Sequence, residues 1–436
     1  MTIDIRSIAI IGGGTMGSGI AAAAAAQGRR VTILEADEAA AAKARERTLA
    51  AAKDEAEREI IAARLDARPL DQGDVAVAEA DWVCEAIIED LEAKRALFRR
   101  LEPLRKPGSV VSTNTSGIPL AAISADFPES FRRNLVVTHF FNPVRVMRLL
   151  EIVPGIDTDP AVVGRLVGFC RDTLGKGVVH AKDTVNFIAN RIGCFWMLSG
   201  LHKAKPYLAR GLTPEEIDAL MGTPVGLPST GLYGLIDLIG LDVMDFVGRN
   251  LADNLPPGDV GLSYTAFPDE ELNMLRRGQL GRKSGGGFYR VVKLADGSKR
   301  KETFDLTTEA WRAWMSPAPQ PSATDAAVLL FAKDEAGRFA WDLLGETLLY
   351  AADLVPEIAD DPINVDRAMR WGFNWRRGPF ELLDHIGPAR VIDRLEASGR
   401  PLPRMLAVLK ASGGPRFYRD GRTLGADGAY HPIPAE

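Results

Sequence analysis

Short apolar runs of strand type alternate with helical stretches over the first 183 of the chain's 436 residues. The apolar runs are residues 7–11, 31–34, 82–88, 110–111, 134–138, 149–153 and 178–181. Strands and helices in alternation predict a parallel sheet that is covered by helices. Beyond residue 183 strands become scarce, and residues 187–207 and 214–221 read as helices. The pattern therefore predicts an α/β domain followed by a helical region.

A glycine-rich stretch follows the first strand directly and opens a helix of small residues. Residues 12–17 read Gly-Gly-Gly-Thr-Met-Gly, which fits G-x-G-x-x-G. In such a loop Gly12 allows the tight turn, Gly14 lets the backbone approach a pyrophosphate, and Gly17 lets the helix pack against the strand. With a second strand after the helix, the stretch predicts the first βαβ unit of a Rossmann-type dinucleotide-binding domain. A glycine-rich turn without a ligand is the alternative.

The residues around this loop indicate which dinucleotide would bind. Thr15 and Met16 begin the helix, whose N-terminus would receive the anionic pyrophosphate. Glu35 closes the second strand, about twenty residues after the glycines. A carboxylate at that place accepts the ribose hydroxyls and repels a 2′-phosphate, so the predicted cofactor is NAD and not NADP.

Polar residues leave the carboxyl ends of two later strands, the edge at which ligands bind in open α/β sheets. Glu89 follows the strand at residues 82–88, and Asn114 and Ser116 follow the strand at residues 110–111. We expect Asn114 and Ser116 to lie beside the nicotinamide. Turn or capping chemistry explains these residue types equally well from their position alone.

His139 ends the strand at residues 134–138, on the same edge as the glycine loop. Glu151 lies inside the next apolar run, where a carboxylate is costly unless it is paired. Two antiparallel strands joined by a turn at Asn142-Pro143 would bring the two side chains together. The glutamate would then fix the tautomer of the imidazole, and the other ring nitrogen could take a proton from a substrate alcohol. A core histidine satisfied by a structural acid is the alternative.

Composition limits the classes of partner. Apolar residues make up 46% of the chain, charged residues 25%, and the net charge is −5, as in a soluble globular protein. The basic clusters are short and flanked by acidic residues, which argues against nucleic acid. The three cysteines lack the spacing of a disulfide framework or a zinc site, so no metal is predicted. Because we find neither a signal peptide nor a bilayer-spanning run, we expect a cytoplasmic protein with no membrane partner.

The helical region contains an internal repeat. Residues 231–240 and 378–387 both fit G-x-[YF]-x-L-[IL]-D-x-I-G, and Phe-Tyr-Arg follows each of them, at residues 288–290 and 417–419. An Asp-Gly turn beyond each Phe-Tyr-Arg predicts a terminal β-hairpin. The helical region is therefore predicted to be duplicated, with the linker at residues 316–324, which are rich in Pro, Ser and Ala.

Residues 139–151, together with Asn114-Thr115-Ser116 and Asn190-Arg191, resemble the L-3-hydroxyacyl-CoA dehydrogenase family of fatty-acid β-oxidation. The resemblance covers nearly the whole chain. It implies a Rossmann-type domain followed by two all-α domains similar to the C-terminal domain of 6-phosphogluconate dehydrogenase. The predicted domains are an NAD-binding domain at 1–183, a first helical copy at 184–290, a hairpin and linker at 291–324, and a second helical copy at 325–436.

The resemblance also implies roles for individual residues. His139 would be the general base and Glu151 its partner. Ser116 and Asn190 would contact the hydroxyl and thioester oxygens of the substrate.

The same resemblance places Glu89 and Lys94 near the nicotinamide half of the cofactor. Four positions depart from the commoner family pattern: Arg145 stands where many members have proline, Arg148 replaces a lysine, and Val185-Asn186 occupy a place often held by Pro-Gly. These departures concern chain-length preference more than the reaction itself.

The function we expect is the NAD-dependent oxidation of (S)-3-hydroxyacyl-CoA to 3-ketoacyl-CoA, with an acyl-CoA as the partner. A sugar-acid or other hydroxy-acid dehydrogenase of the same fold and a non-enzymatic NAD-binding scaffold are the alternatives. The second helical copy lacks the Asn-Arg pair, so we expect it to do no chemistry. Similarity to multifunctional β-oxidation enzymes predicts a monomer with an internal pseudo-dimer, either a stand-alone enzyme or the front part of a longer chain.

Overall fold

The computed structural model describes residues 4–435, so residues 1–3 and 436, at the outer ends of the first and last predicted domains, lie outside the described residues. The chain forms two compact units. The first unit comprises the chain up to Ile188 together with Glu357–Ala359 and 434–435. The second comprises Ala189–Pro356 and Asp360–Ile433.

An eight-stranded sheet forms the centre of the first unit. Its strands are β1 (Ser7–Ile11), β2 (Arg30–Glu35), β3 (Leu65–Pro69), β4 (Trp82–Glu85), β5 (Val110–Thr113), β6 (Leu135–Phe140), β7 (Leu149–Pro154) and β8 (Gly177–His180). They lie in the order β3-β2-β1-β4-β5-β6-β7-β8. Strands β1 to β6 are parallel, β7 runs antiparallel to β6, and β8 is parallel to β7. The predicted Rossmann-type α/β domain is confirmed.

Helices of the first unit connect these strands. They are α1 (Thr15–Ala26), α2 (Glu38–Ala50), α3 (Glu55–Arg64), α4 (Asp74–Glu79), α5 (Leu91–Leu101), α6 (Leu120–Ser124), α7 (Glu129–Arg132) and α8 (Pro160–Gly168). The buried alanines of α1 share one hydrophobic core with strand residues such as Ile10 and Trp82 and with Phe169. Small side chains on α1 let this helix lie close to the sheet, which brings its N-terminus to the carboxyl end of β1.

Two local features differ from the sequence prediction. Residues 38–63 are rich in Ala, Arg and Glu, a composition that predicts one long helix. They form two helices, because the side chain of Asp54 accepts a hydrogen bond from the N–H of Glu57 and starts α3 as a new helix. Strand β3 was not predicted, since only Leu65 and Pro69 at its ends are buried and no apolar run marks it.

The second unit is mainly helical. Its helices are α9 (Ala189–Leu208), α10 (Pro214–Leu220), α11 (Gly231–Ile239), α12 (Leu241–Asn254), α13 (Asp269–Arg276), α14 (Ala326–Leu329), α15 (Glu335–Ala340), α16 (Glu346–Leu354), α17 (Pro362–Gly372), α18 (Pro379–Ile386), α19 (Pro388–Ala397) and α20 (Arg404–Ser412). Its strands are β9 (Tyr289–Lys293), β10 (Lys299–Asp305), β11 (Ala310–Ala313), β12 (Tyr418–Arg419), β13 (Arg422–Leu424) and β14 (Tyr430–Pro432). They form two antiparallel sheets, each with a third strand beyond the predicted hairpin.

Two segments of this unit share one hydrogen-bond pattern. Asp218 accepts a hydrogen bond from the hydroxyl of Tyr289 at 2.8 Å, and Asp366 accepts one from Tyr418 at 2.5 Å. Asp237 accepts the backbone N–H groups of residues 288–289 in the first segment. Asp384 accepts those of residues 417–418 in the second segment. The matching contacts support the predicted duplication of the helical region.

Candidate functional site

The loop between β1 and α1 requires glycine at two positions for local packing. Gly12 has φ +96°, and a Cβ there would lie 2.6 Å from the carbonyl oxygen of Ala86. A Cβ at Gly17 would lie 1.8 Å from the carbonyl oxygen of Gly12. A Cβ at Gly14 would meet nothing within 4 Å, so this residue faces open space. The loop is therefore closely packed at Gly12 and Gly17 and open to solvent at Gly14.

The N-terminus of α1 has the properties of an anion site. Thr15 and Met16 form its first turn, and no side chain caps the helix at Gly14. Backbone N–H groups at such a terminus carry partial positive charge. One oxygen of Glu35 accepts the N–H of Gly13 at 2.6 Å, which holds the carboxylate against the loop. An open helix N-terminus beside a carboxylate fits the pyrophosphate and ribose of NAD.

Glu89 organises the loop that follows β5. Its Oε1 accepts hydrogen bonds from the hydroxyl of Thr115 at 2.6 Å and from the N–H groups of Ser116 and Gly117, each at 2.9 Å. Burial raises the pKa of Glu89, but the Lys94 ammonium and these hydrogen bonds outweigh it, so the pKa lies below its ordinary value. A single carboxylate oxygen thus sets the backbone position of Ser116.

Lys94 lies beneath Glu89 and is almost fully buried, at 1% exposure. Its Nζ is 2.7 Å from Oε1 of Glu85 and 3.4 Å from Oε2 of Glu89. The hydroxyl of Thr113 also donates to Glu85. Glu85 is not among the site residues predicted from the sequence. The available signal was a carboxylate inside an apolar strand, the same signal that singled out Glu151.

Asn114 links two strand ends at the same edge of the sheet. Its Oδ1 accepts the N–H of Phe140 at 3.0 Å, which ties the end of β5 to the end of β6. The contact lies one residue from His139, so the side chain of Asn114 fixes the backbone beside the histidine.

His139 and Glu151 are direct partners in the antiparallel pairing of β6 and β7. Nδ1 of His139 lies 2.6 Å from Oε2 of Glu151, and Oε1 of Glu151 accepts the N–H of Ile188 at 3.1 Å. The histidine is 5% exposed and the glutamate 0%. Because an ionised carboxylate only accepts hydrogen bonds, this pairing favours the tautomer that carries its proton on Nδ1 and leaves Nε2 as the basic nitrogen. The predicted pairing of these two side chains is confirmed.

Two aromatic rings flank the histidine. The ring centroids of Phe141 and Phe187 lie 4.5 Å and 5.5 Å from that of His139. Asn186 and Phe187 have φ values of +58° and +52°, in the left-handed region that glycine and asparagine tolerate best. Asparagine adopts this conformation more readily than most other residues with a side chain, which suits Asn186 to its position.

Arg145, one of the departures from the family pattern, is bound to the helices after β2. Its guanidinium donates to both carboxylate oxygens of Glu57, at 2.7 and 2.8 Å, and to the carbonyl of Ala51 at 2.6 Å. The hydrogen bonds from Arg145 to Glu57, opposed by a smaller effect of burial and assisted by the backbone N–H of Lys53, lower the pKa of Glu57 to about 2. Arg145 therefore anchors the loop that follows His139.

Lys176 also anchors the loop that follows His139. Its ammonium donates hydrogen bonds to the carbonyls of Val144 and Met147. Burial lowers the pKa of Lys176 to about 8.

The remaining predicted site residue belongs to the other unit. Asn190 is half-buried in the first turn of α9, next to the buried Arg191. The structure thus brings the glycine loop, Glu35, Glu89, Lys94, Asn114, Ser116, His139 and Glu151 into one unit.

The described residues contain neither a candidate membrane-spanning helix nor a cluster of metal-ligating side chains. No helix in residues 4–435 is long and apolar enough to cross a membrane. The same residues contain no group of three or more His, Cys, Asp and Glu side chains that could hold a metal ion.

A Rossmann-type sheet, a glycine loop at a helix N-terminus and a histidine-carboxylate pair on the carboxyl edge define the class of NAD-dependent dehydrogenases. Residues 7–184 match the model of the 3-hydroxyacyl-CoA dehydrogenase NAD-binding domain, and residues 187–291 match that of its C-terminal domain. The chain belongs to the 3-hydroxyacyl-CoA dehydrogenase family.

Individual relatives agree with this assignment. A probable 3-hydroxyacyl-CoA dehydrogenase of Bacillus subtilis is 35% identical over 95% of this chain and 55% of its own length. One of Deinococcus radiodurans is 38% identical over 67% of this chain and 84% of its own length. The crystal structure of 3-hydroxybutyryl-CoA dehydrogenase from Escherichia coli superimposes with a TM-score of 0.71 and 25% identity, covering 94% of this chain and 98% of that one.

Three curated relatives that match more than nine-tenths of this chain are considerably longer than it. The chain spans 55 to 57% of the length of the first three curated relatives.

Proposed function

We propose that this protein oxidises (S)-3-hydroxyacyl-CoA to 3-ketoacyl-CoA with NAD as the hydride acceptor. The observation that carries the proposal is the buried His139–Glu151 pair, whose nitrogen and oxygen are 2.6 Å apart on the edge of the sheet that holds the glycine loop. The names of the relatives support the substrate class, because they describe 3-hydroxyacyl-CoA dehydrogenases and putative fatty acid oxidation complex enzymes.

The histidine acts as the general base of this reaction. Oxidation of an alcohol removes a hydride from carbon and a proton from oxygen, and NAD, when bound, supplies the hydride acceptor. Nε2 of His139 takes the proton of the 3-hydroxyl group. The carboxylate of Glu151, held by the N–H of Ile188, stabilises the imidazolium that results and keeps the ring in the productive tautomer.

Other residues bind and orient the reactants. Residues 12–17 and Glu35 hold the pyrophosphate and ribose, and Asn114 lies beside the nicotinamide. Glu89 contacts the nicotinamide half of the cofactor, and Lys94 orients Glu89 from below. Ser116 and Asn190 contact the hydroxyl and thioester oxygens of the substrate.

The helical region completes the proposed organisation. The first copy, residues 184–290, carries Asn190, and the second, residues 325–436, packs as its internal partner, so the protein is a monomer. Size-exclusion chromatography over a range of concentrations tests this arrangement. A concentration-dependent dimer would contradict it.

Turnover assays with a substrate panel test the reaction. We expect the purified protein to oxidise NADH with acetoacetyl-CoA and to reduce NAD with 3-hydroxyacyl-CoA esters, but not to oxidise free hydroxy acids or sugar acids. A panel of C4 to C16 acyl chains then gives the chain-length preference. Activity confined to sugar acids or free hydroxy acids would overturn the substrate class, and absence of turnover on every substrate would favour a scaffold.

A further inference from the structure

The residue that follows Asn190 belongs to a closed polar triangle inside the second unit. Arg191, at 1% exposure, donates from Nε to the hydroxyl of Tyr350 at 2.6 Å and from Nη2 to Oδ2 of Asp259 at 2.5 Å. The tyrosine hydroxyl in turn donates to the carboxylate of Asp259, with both oxygens at 3.1 Å. Each polar group of the triangle therefore contacts the other two.

The three members come from different parts of the repeat. Arg191 and Asp259 lie in the predicted first copy, whereas Tyr350 lies on α16 in the predicted second copy. The ring of Tyr350 also stacks on Phe195 of α9, with centroids 4.1 Å apart and planes 23° apart. The copy that lacks the Asn-Arg pair thus supplies the tyrosine that contacts the arginine of this pair in the other copy.

A second contact fixes the same part of α9 against the second copy. A Cβ at Gly193 would lie 2.0 Å from the ring of Phe373, so glycine is what allows this ring to approach the helix. Trp196, one turn further along α9, packs edge to face on Trp375. The first two turns of α9 are therefore seated on aromatic side chains of the second copy.

Burial makes the polar triangle sensitive to the loss of one member. A buried guanidinium requires hydrogen-bond partners on its N–H groups, and a missing partner leaves a desolvated charge. Without the hydroxyl of Tyr350, Nε of Arg191 loses this hydrogen bond. The backbone of Arg191 belongs to the helical turn that carries Asn190.

We infer that Tyr350 is a positioning residue for Asn190 and acts through Arg191 and Asp259, so the second helical copy completes the substrate site of the first. The inference rests on the proposed function for the role of Asn190. The second copy, which is predicted to do no chemistry, then supports the residue of the first copy that contacts the substrate.

The substitution Tyr350→Phe tests this inference, because it removes the hydroxyl and keeps the ring that stacks on Phe195. Tyr207→Phe is the matched control. The hydroxyl of Tyr207 donates from the same helix to Asp342 of the second copy, but this residue lies 17 positions beyond Asn190, about 25 Å along the helix.

We expect Tyr350→Phe to lower kcat/KM for acetoacetyl-CoA about 10-fold with the Kd for NADH unchanged, and Tyr207→Phe to keep wild-type kinetics. Hydrogen exchange should become faster at residues 189–193 in Tyr350→Phe alone. In the background of Asn190→Ala, the Tyr350→Phe change should have no further effect on kcat/KM, because both act on one contact.

Wild-type kinetics and exchange in Tyr350→Phe would overturn the inference, and so would equal effects of the two tyrosine variants. Additive effects of Asn190→Ala and Tyr350→Phe would also overturn it, since they indicate a general structural role. If the wild type turns over no 3-hydroxyacyl-CoA, the proposed function fails. The exchange of residues 189–193 then still decides whether Tyr350 holds the turn of Asn190.

Discussion

Nδ1 of His139 and Oε2 of Glu151 are 2.6 Å apart across two antiparallel strands whose register pairs the two residues directly. Both side chains are buried, so the interaction is little screened by solvent. The pair is therefore suited to stabilise a proton on the imidazole during the reaction.

Glu151→Gln tests the charge of this partner. The amide keeps the size of the side chain but cannot stabilise an imidazolium, so we expect kcat with acetoacetyl-CoA to fall by about 10² to 10³. The Kd for NADH, measured by fluorescence titration, should stay within twofold of the wild-type value. A wild-type kcat in this variant would contradict the role of Glu151.

Glu89→Gln tests the carboxylate that holds the loop of Ser116. Loss of the charge weakens three hydrogen bonds to residues 115–117 and removes a partner of the buried Lys94. We expect a loss of about 1–3 kcal/mol in the free energy of unfolding and a lower kcat/KM. Glu92→Gln, at an exposed position on α5, is the control and should change neither quantity. Equal behaviour of the two variants would argue against a positioning role for Glu89.

Glu35→Ala tests the choice of cofactor. Removal of the carboxylate removes the repulsion of a 2′-phosphate and an acceptor for the ribose hydroxyls, so the preference for NAD over NADP should fall at least about 10-fold. Glu38→Ala, at an exposed position in the first turn of α2, serves as the control. The measurement is the ratio of kcat/KM for the two cofactors, and an unchanged ratio in Glu35→Ala would refute the ribose contact.

Arg145→Ala tests the ion pair that anchors the loop after His139. The guanidinium is the largest cause that lowers the pKa of Glu57 to about 2, and Lys53 adds to it. A lowered carboxyl pKa contributes stability that is present above the ordinary value of about 4.3 and is lost as the pH falls through about 2. We expect Arg145→Ala to lose about 1–2 kcal/mol of unfolding free energy at pH 7 and to show a flatter decline between pH 4.5 and pH 2.

Urea unfolding at several pH values measures this effect. Glu57→Gln removes the titrating group itself and should flatten the acid decline in the same way. An acid decline as steep as that of the wild type in either variant would show that the Arg145–Glu57 pair does not contribute to it.

Local patterns in the sequence were sufficient for seven of the eight strands of the first unit's sheet, for the glycine loop and for the facing pair of His139 and Glu151. These features depend on a few neighbouring residues, on strand alternation and on the cost of a carboxylate in an apolar run. The same reasoning could have found Glu85, which also lies in an apolar strand and is paired with Lys94.

Other contacts could not be predicted, because they join residues far apart in the chain through exact placement of two elements. Arg145 meets Glu57 across 88 positions, and Arg191 meets Tyr350 across 159. The repeat indicated that a second copy exists, but it carried no information on which side chains of that copy reach α9. Strand β3 was missed for a related reason, since its pairing with β2 needs no apolar run of its own.

The most direct test of the proposed mechanism is the rate at which His139→Gln reduces acetoacetyl-CoA with NADH. Glutamine keeps a polar side chain but cannot donate and accept a proton as imidazole does. We predict that kcat falls by about 10³ or more while the Kd for NADH remains within twofold of the wild-type value. A kcat near the wild-type value in His139→Gln would contradict the assignment of this histidine as the proton-transferring group.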